Sequence, residues 1–210
     1  MQIARGQRHS LFPGAMTLWT STAMKAWRDS LERYEEVVGA QGVARLPSLD
    51  AWYREELPEL LSGRRYPHVT LPDLIRLTEW KMARGVWRAP NLVLVRANAP
   101  DAVVAISRAA LAAVPHPTAP ISALAKLAGV GPATASAVAA AFAHDTYPFF
   151  DELVAAQIPS LGTVAWTLRY YARYADALRA RATSLGGGWT PVMVERALWS
   201  YVGGKAGARA

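Results

Sequence analysis

The chain has 210 residues, 52% of them apolar, which is long enough to bury a substantial core and too apolar for wholesale disorder. Its 23 lysines and arginines outnumber 16 acidic residues, and the resulting charge of +7 favours a polyanionic partner, because each contacted phosphate releases condensed counterions. With no cysteine it can form no disulfide, thiolate zinc site or iron–sulfur cluster; no apolar run is long enough for a bilayer, and a cytoplasmic protein without membrane contact is expected.

Residues 1–16 carry Arg5, Arg8 and His9 without an apolar stretch, so they read as a flexible leader rather than a secretory signal, with Met16 as an alternative start. From there the apolar spacing is helical almost throughout, with no sustained alternation. A helix is expected over 22–38, with Met24, Trp27, Leu31, Tyr34 and Val38 along one stripe. Ser48 can cap a second, running to about Leu61, with Leu49, Trp52 and Tyr53 facing inward. Thr70-Leu71-Pro72-Asp73 has the pattern of a capping box, opening a helix that carries Leu74, Leu77, Trp80 and Lys81 and stops at Gly85. Shorter helices start at Pro90 and Pro100. A stiff connector, Pro115-His116-Pro117-Thr118-Ala119-Pro120, then leads to paired helices over 121–127 and 132–142. A short helix begins near Phe150, and a long one runs over 164–184 to the stop at Gly186-Gly187-Gly188. A last one begins at Thr190-Pro191 and ends before Gly203, leaving 204–210 as a frayed tail. Arg169, Arg173, Arg179 and Arg181 read as a solvated face of the long helix, and the four scattered histidines show no metal-ligand spacing.

The segment with most chemical content is Leu127-Ala128-Gly129-Val130-Gly131-Pro132-Ala133-Thr134-Ala135. Two glycines permit a tight turn and leave its amides uncovered, and the helix opening at Pro132 adds free N–H groups and a positive dipole end. That combination suits a phosphate without reading base sequence, and Val130 can anchor the turn in the core. The plain alternative is an ordinary corner between two packed helices.

This string resembles the helix-hairpin-helix motif, expected here over 120–143, and the resemblance extends further. In the helix-hairpin-helix DNA glycosylase superfamily a catalytic aspartate follows the second glycine at a set interval, and here Asp151 lies twenty residues after Gly131. Glu79-Trp80-Lys81-Met82-Ala83-Arg84-Gly85-Val86-Trp87-Arg88 and the stretch from Trp189 to Trp199 resemble a mostly uncharacterised branch, so the likeness covers about residues 20–203. It implies an all-α, two-lobed, DNA glycosylase-like fold over 17–203, with hairpin and aspartate beside the cleft between lobes and N-terminal helices returning to pack on C-terminal ones. It also implies a monovalent cation, K+ or Na+, held by the main-chain carbonyls of Ala125, Leu127 and Val130, with no other cofactor required. The chain departs from that pattern in four ways, the first being that the cysteine cluster found in some members is absent. Ala133 replaces the Schiff-base lysine of bifunctional members, which excludes lyase chemistry through that group. No polar wedge is evident before the hairpin, and the residue preceding the aspartate is the bulky Phe150.

The resemblance implies a monofunctional DNA N-glycosylase acting in base excision repair on duplex DNA; a monomer is expected, although the sequence does not fix the oligomeric state. Asp151 is the candidate catalytic carboxylate and Glu152 its neighbour; the bland alternative is that both favour a helix N-terminus electrostatically. Gly129, Val130, Gly131, Pro132, Ala133 and Thr134 are the candidate DNA-binding turn. Lys81, Arg84 and Arg88 are candidate phosphate contacts or a solvated face. Trp80 and Trp87 are candidate walls for a flipped base or simply core. Two other readings are a non-catalytic module binding distorted DNA and a helical protein-interaction domain.

Overall fold

The computed structural model describes residues 17–208, which form thirteen α-helices and no strand among the described residues. The expected leader over 1–16 lies outside them. The first helical stretch is two helices, α1 (Met24–Glu32) and α2 (Tyr34–Gly39), separated at Arg33; Trp27, Tyr34 and Val38 are buried as their spacing requires. Next comes α3 (Leu46–Ala51), starting two residues ahead of Ser48, whose hydroxyl donates back to the Arg45 carbonyl instead of capping. A π-helical turn at Trp52–Glu56 leads into α4 (Leu57–Gly63). The widening falls just before Pro58, which has no N–H for the ladder. The capping box at α5 (Leu71–Arg84) forms as read: the Asp73 N–H donates to Thr70 Oγ1 at 3.3 Å and the Thr70 N–H to Asp73 Oδ2 at 2.9 Å.

Beyond Gly85 come α6 (Ala89–Arg96), α7 (Pro100–Ala112), α8 (Ala119–Leu124) and α9 (Pro132–Phe142). The short α10 (Glu152–Ala155) precedes α11 (Leu168–Leu185) and α12 (Pro191–Tyr201). The long helix starts four residues later than its apolar pattern suggests, because Thr167 caps it by accepting the Tyr170 N–H. In place of the expected frayed tail, Gly204–Gly207 form α13, tied back by Gln41, which accepts the Ala206 N–H and donates to the Gly203 carbonyl.

The element around which the rest is arranged is α9. Its residues from Ala133 to Ala141 are all buried, and their small side chains admit α4, α5 and α8 at close range. Elsewhere α12 packs on α1, α2 and α11, so the N-terminal helices do meet C-terminal ones. Trp27 and Trp189 join there edge to face, with ring centroids 6.0 Å apart. A continuous apolar core links these contacts.

Between α9 and α10 the chain runs extended, and its carbonyls are held by tyrosines. The Tyr174 hydroxyl donates to Phe149 O at 2.7 Å and Tyr171 to Pro148 O at 3.3 Å, both from α11. On the other side Ser136 of α9 accepts the Phe150 N–H at 2.9 Å while donating to Ala133 O. This segment is thereby fixed between two helices, and Asp151 follows directly. Ser136→Ala leaves a buried N–H without an acceptor and is expected to cost about 1–3 kcal/mol, read as a lower urea midpoint with unchanged m-value.

Candidate functional site

Asp151 is 8% exposed and is the N-cap of α10: its Oδ1 accepts the Leu153 N–H at 2.8 Å. Its Oδ2 lies 3.9 Å from Arg84 Nε. Burial pushes its carboxyl above the ordinary carboxylate range, opposed by Arg84 and by the Leu153 and Val154 amides. The same residue borders a cleft of about 220 Å³, which also touches Glu152, Phe149, Phe150 and Trp166, the first turn of α9 from Gly131 to Thr134, and Lys81, Arg88 and Asn91. That volume is under the ~300–1,000 Å³ of drug-sized sites and suits a single planar ring system.

The glycine turn supplies donors to this cleft. The first backbone bond of α9 is Ala135 N–H to Gly131 O, so the Gly131, Ala133 and Thr134 N–H groups have no protein acceptor among the described residues. The two glycines differ in why they are there. Gly129 has φ +73°, and a Cβ would stand 2.7 Å from Asn91 O and 2.9 Å from Val95 N, so α6 and the turn can pack only through glycine. Gly131 has φ −93° and open space where a Cβ would be, so the fold alone does not demand glycine at that position, contrary to the expectation that both are conformationally required. Asn98, which carries no motif or periodic signal in the sequence, clamps the turn: it accepts the Ala128 N–H at 2.9 Å and donates to Ala128 O at 3.0 Å. Val130 is buried and anchors the turn as anticipated. Of the three carbonyls expected to hold a cation, that of Leu127 accepts the Val130 N–H, while those of Ala125 and Val130 accept no backbone bond among the described residues.

The basic and aromatic candidates separate. Lys81 is half-buried at the cleft with no carboxylate paired to it among the described residues; burial and the neighbouring Arg88 lower its pKa. Arg88 is exposed there. Arg84, by contrast, is 2% exposed and cannot reach a phosphate: its Nη2 donates to Glu195 Oε1 at 2.5 Å. Trp80 is fully buried, stacked on Tyr53 at 3.6 Å with its indole N–H on Asp50, so it belongs to the core and not to a base-binding wall. Trp87 is exposed beneath the Arg45 guanidinium and does not border the cleft. The aromatic wall comes instead from Trp166, 47% exposed and 4.9 Å from the Phe150 ring. It sits in an irregular segment before α11, where periodicity carries no signal. Glu152 faces the cleft but pairs with Lys205 at 2.8 Å. Among the arginines expected to be solvated, Arg181 bonds Trp19 O and lies over that indole, while Arg173 and Arg179 bond the carbonyls of Ser160 and Thr146.

The residues define an all-helical protein whose cleft combines a buried carboxylate, unpaired amides at a helix start, two cationic side chains and an aromatic wall. Comparisons with protein-family models, with curated proteins and with solved structures give no match to this chain. No helix among the described residues is long and apolar enough to cross a membrane, and no group of three or more His, Asp or Glu side chains among them is arranged to hold a metal ion.

Proposed function

We propose that the chain is a two-lobed, DNA glycosylase-like repair protein that binds duplex DNA and hydrolyses the N-glycosidic bond of a flipped damaged or mismatched base. The observation that carries this reading is the shared cleft of Asp151 and the free amides of the α9 start. Those amides, the helix dipole, Lys81 and Arg88 form a phosphate-binding surface with no base-specific group. A base turned out of the stack would lie against Trp166, within the volume available. As its bond to C1′ lengthens, positive charge grows on the deoxyribose, and the Asp151 carboxylate stabilises that charge and orients the attacking water. Ala133 offers no amine at the turn, so the product through this route is an intact abasic site. The free carbonyls of Ala125 and Val130 are neutral oxygen donors of the kind a monovalent cation takes, and such an ion would brace the turn.

A second reading, a non-catalytic module for distorted DNA, is favoured by one feature: Asp151 Oδ1 is already committed to capping α10. Single-turnover incubation with duplexes carrying uracil, mismatched thymine, alkylated purines or oxidised purines separates the two. Release of one base, lost by about 10²–10³-fold or more in Asp151→Asn, supports the enzyme. Salt-sensitive binding with no release from any duplex, and no effect of Asp151→Asn on affinity, supports the module.

A further inference from the structure

We propose that Arg84, clamped from behind by Glu195, is a positioning residue that holds Asp151 as an oriented carboxylate at the floor of the cleft. The proposal rests on the reading that Asp151 is the working carboxylate. Arg84 and Glu195 are 2% and 1% exposed, far from any solvent that could stabilise a charge. The guanidinium sits among rings, 4.4 Å from the centroid of Trp199 and 5.2 Å from that of Phe149. Arg84 Nε is a buried donor with no hydrogen-bond partner. Its neighbour on that side is Asp151 Oδ2, at 3.9 Å, beyond hydrogen-bond range but within ion-pair range. A small movement of the Asp151 side chain, such as one drawn by charge developing on a bound sugar, changes this contact directly. Apolar packing alone would not need a cation at this position, and α5 could have presented a methionine.

The charge count gives the arrangement its consequence. One guanidinium serves two buried carboxylates, with Glu152 beside Asp151, Arg196 beside Glu195, and Asp50, Tyr34 and Tyr174 next around them. Burial pushes both carboxyls up, Glu195 to about 7, and Arg84 opposes it at each; at Asp151 the Leu153 and Val154 amides oppose it as well. Glu195 occupies Arg84 Nη2, and the open Nε of the same guanidinium is left on the side of Asp151.

The test reads Asp151 itself. In full-length protein labelled with ¹³C at aspartate carboxyls, Asp151→Asn assigns the resonance, which is then titrated in the wild type, Glu195→Gln and Arg84→Gln/Glu195→Gln. Glutamine at 195 keeps an acceptor for Arg84, so Asp151 is expected to titrate close to its wild-type midpoint. The double variant removes the cation without stranding a buried glutamate, and the midpoint should rise by roughly 1–3 pH units. If base release is found, its acid limb should move up with the carboxyl; a merely structural loss would lower the rate at every pH and leave the limb in place. An unmoved Asp151 midpoint in a folded double variant overturns the proposal. Because the titration needs no substrate, absence of base release would count against the proposed function without deciding this inference.

Discussion

Arg84→Met should destabilise the protein by about 3–5 kcal/mol, the usual cost of removing one partner from a buried ion pair. Methionine fills the space only as far as Nε, so the guanidinium's contacts with the rings of Trp199 and Phe149 are lost too, and what remains is Glu195 at 1% exposure and Asp151 at 8% with no cation between them. The loss should also depend on pH in a defined sense. Glu195 has its folded-state pKa raised from 4.5 to about 7, so between those values the folded state holds more protons than the unfolded one. Stability contributed by this site is therefore greatest below about 4.5 and falls as pH rises through 7. Without Arg84 the carboxyl moves higher still, and the deficit should deepen with rising pH. Urea denaturation of both proteins at pH 5 and pH 8 checks this, and an equal loss at the two values would contradict it.

The second large effect contrasts the two glycines. Gly129→Val forces a β-branched residue to φ +73° and drives its Cβ into the backbone of α6, 2.7 Å from Asn91 O. Left-handed strain of about 1–2 kcal/mol and overpacking of about 1–3 kcal/mol make a combined loss of roughly 2–5 kcal/mol. Gly131→Val meets open space at an ordinary φ and should leave the thermal midpoint within experimental error. Its isopropyl group adds bulk at the turn that carries the free amides, so affinity for every duplex sequence should fall together, measured by fluorescence anisotropy at fixed salt. If Gly131→Val bound DNA as the wild type does, the phosphate surface would lie elsewhere on the molecule.

These contrasts show where the information for fold and site resides. Local chemistry was sufficient where it is self-contained. Thr70 and Asp73 cap each other across three residues, Pro132 opens α9, Thr190 and Pro191 open α12, and Gly85 and Gly186 close α5 and α11. The helical class follows from spacing for the same reason, since the apolar period depends only on neighbours three and four residues away. Asp151 was reachable only through resemblance; nothing local distinguishes it from any other helix-capping aspartate.

What only the tertiary structure decided is which face of each residue meets water. Trp80, Lys81, Arg84 and Trp87 lie within eight residues, and their spacing allows a core, a solvated face or a cleft wall for each. Packing of α5 on α3, α6 and α9 sends Trp80 inward, Glu195 and Trp199 of α12 take Arg84, Lys81 is left at the cleft and Trp87 lies away from it under Arg45. Glu195 meets Arg84 across 111 residues, and Trp166 reaches the cleft from an irregular segment. Neither has a signal in the sequence, because the energy that fixes them is burial and ion pairing between distant elements. Burial also selects which charged groups must find partners, and a linear pattern of charges does not contain that choice.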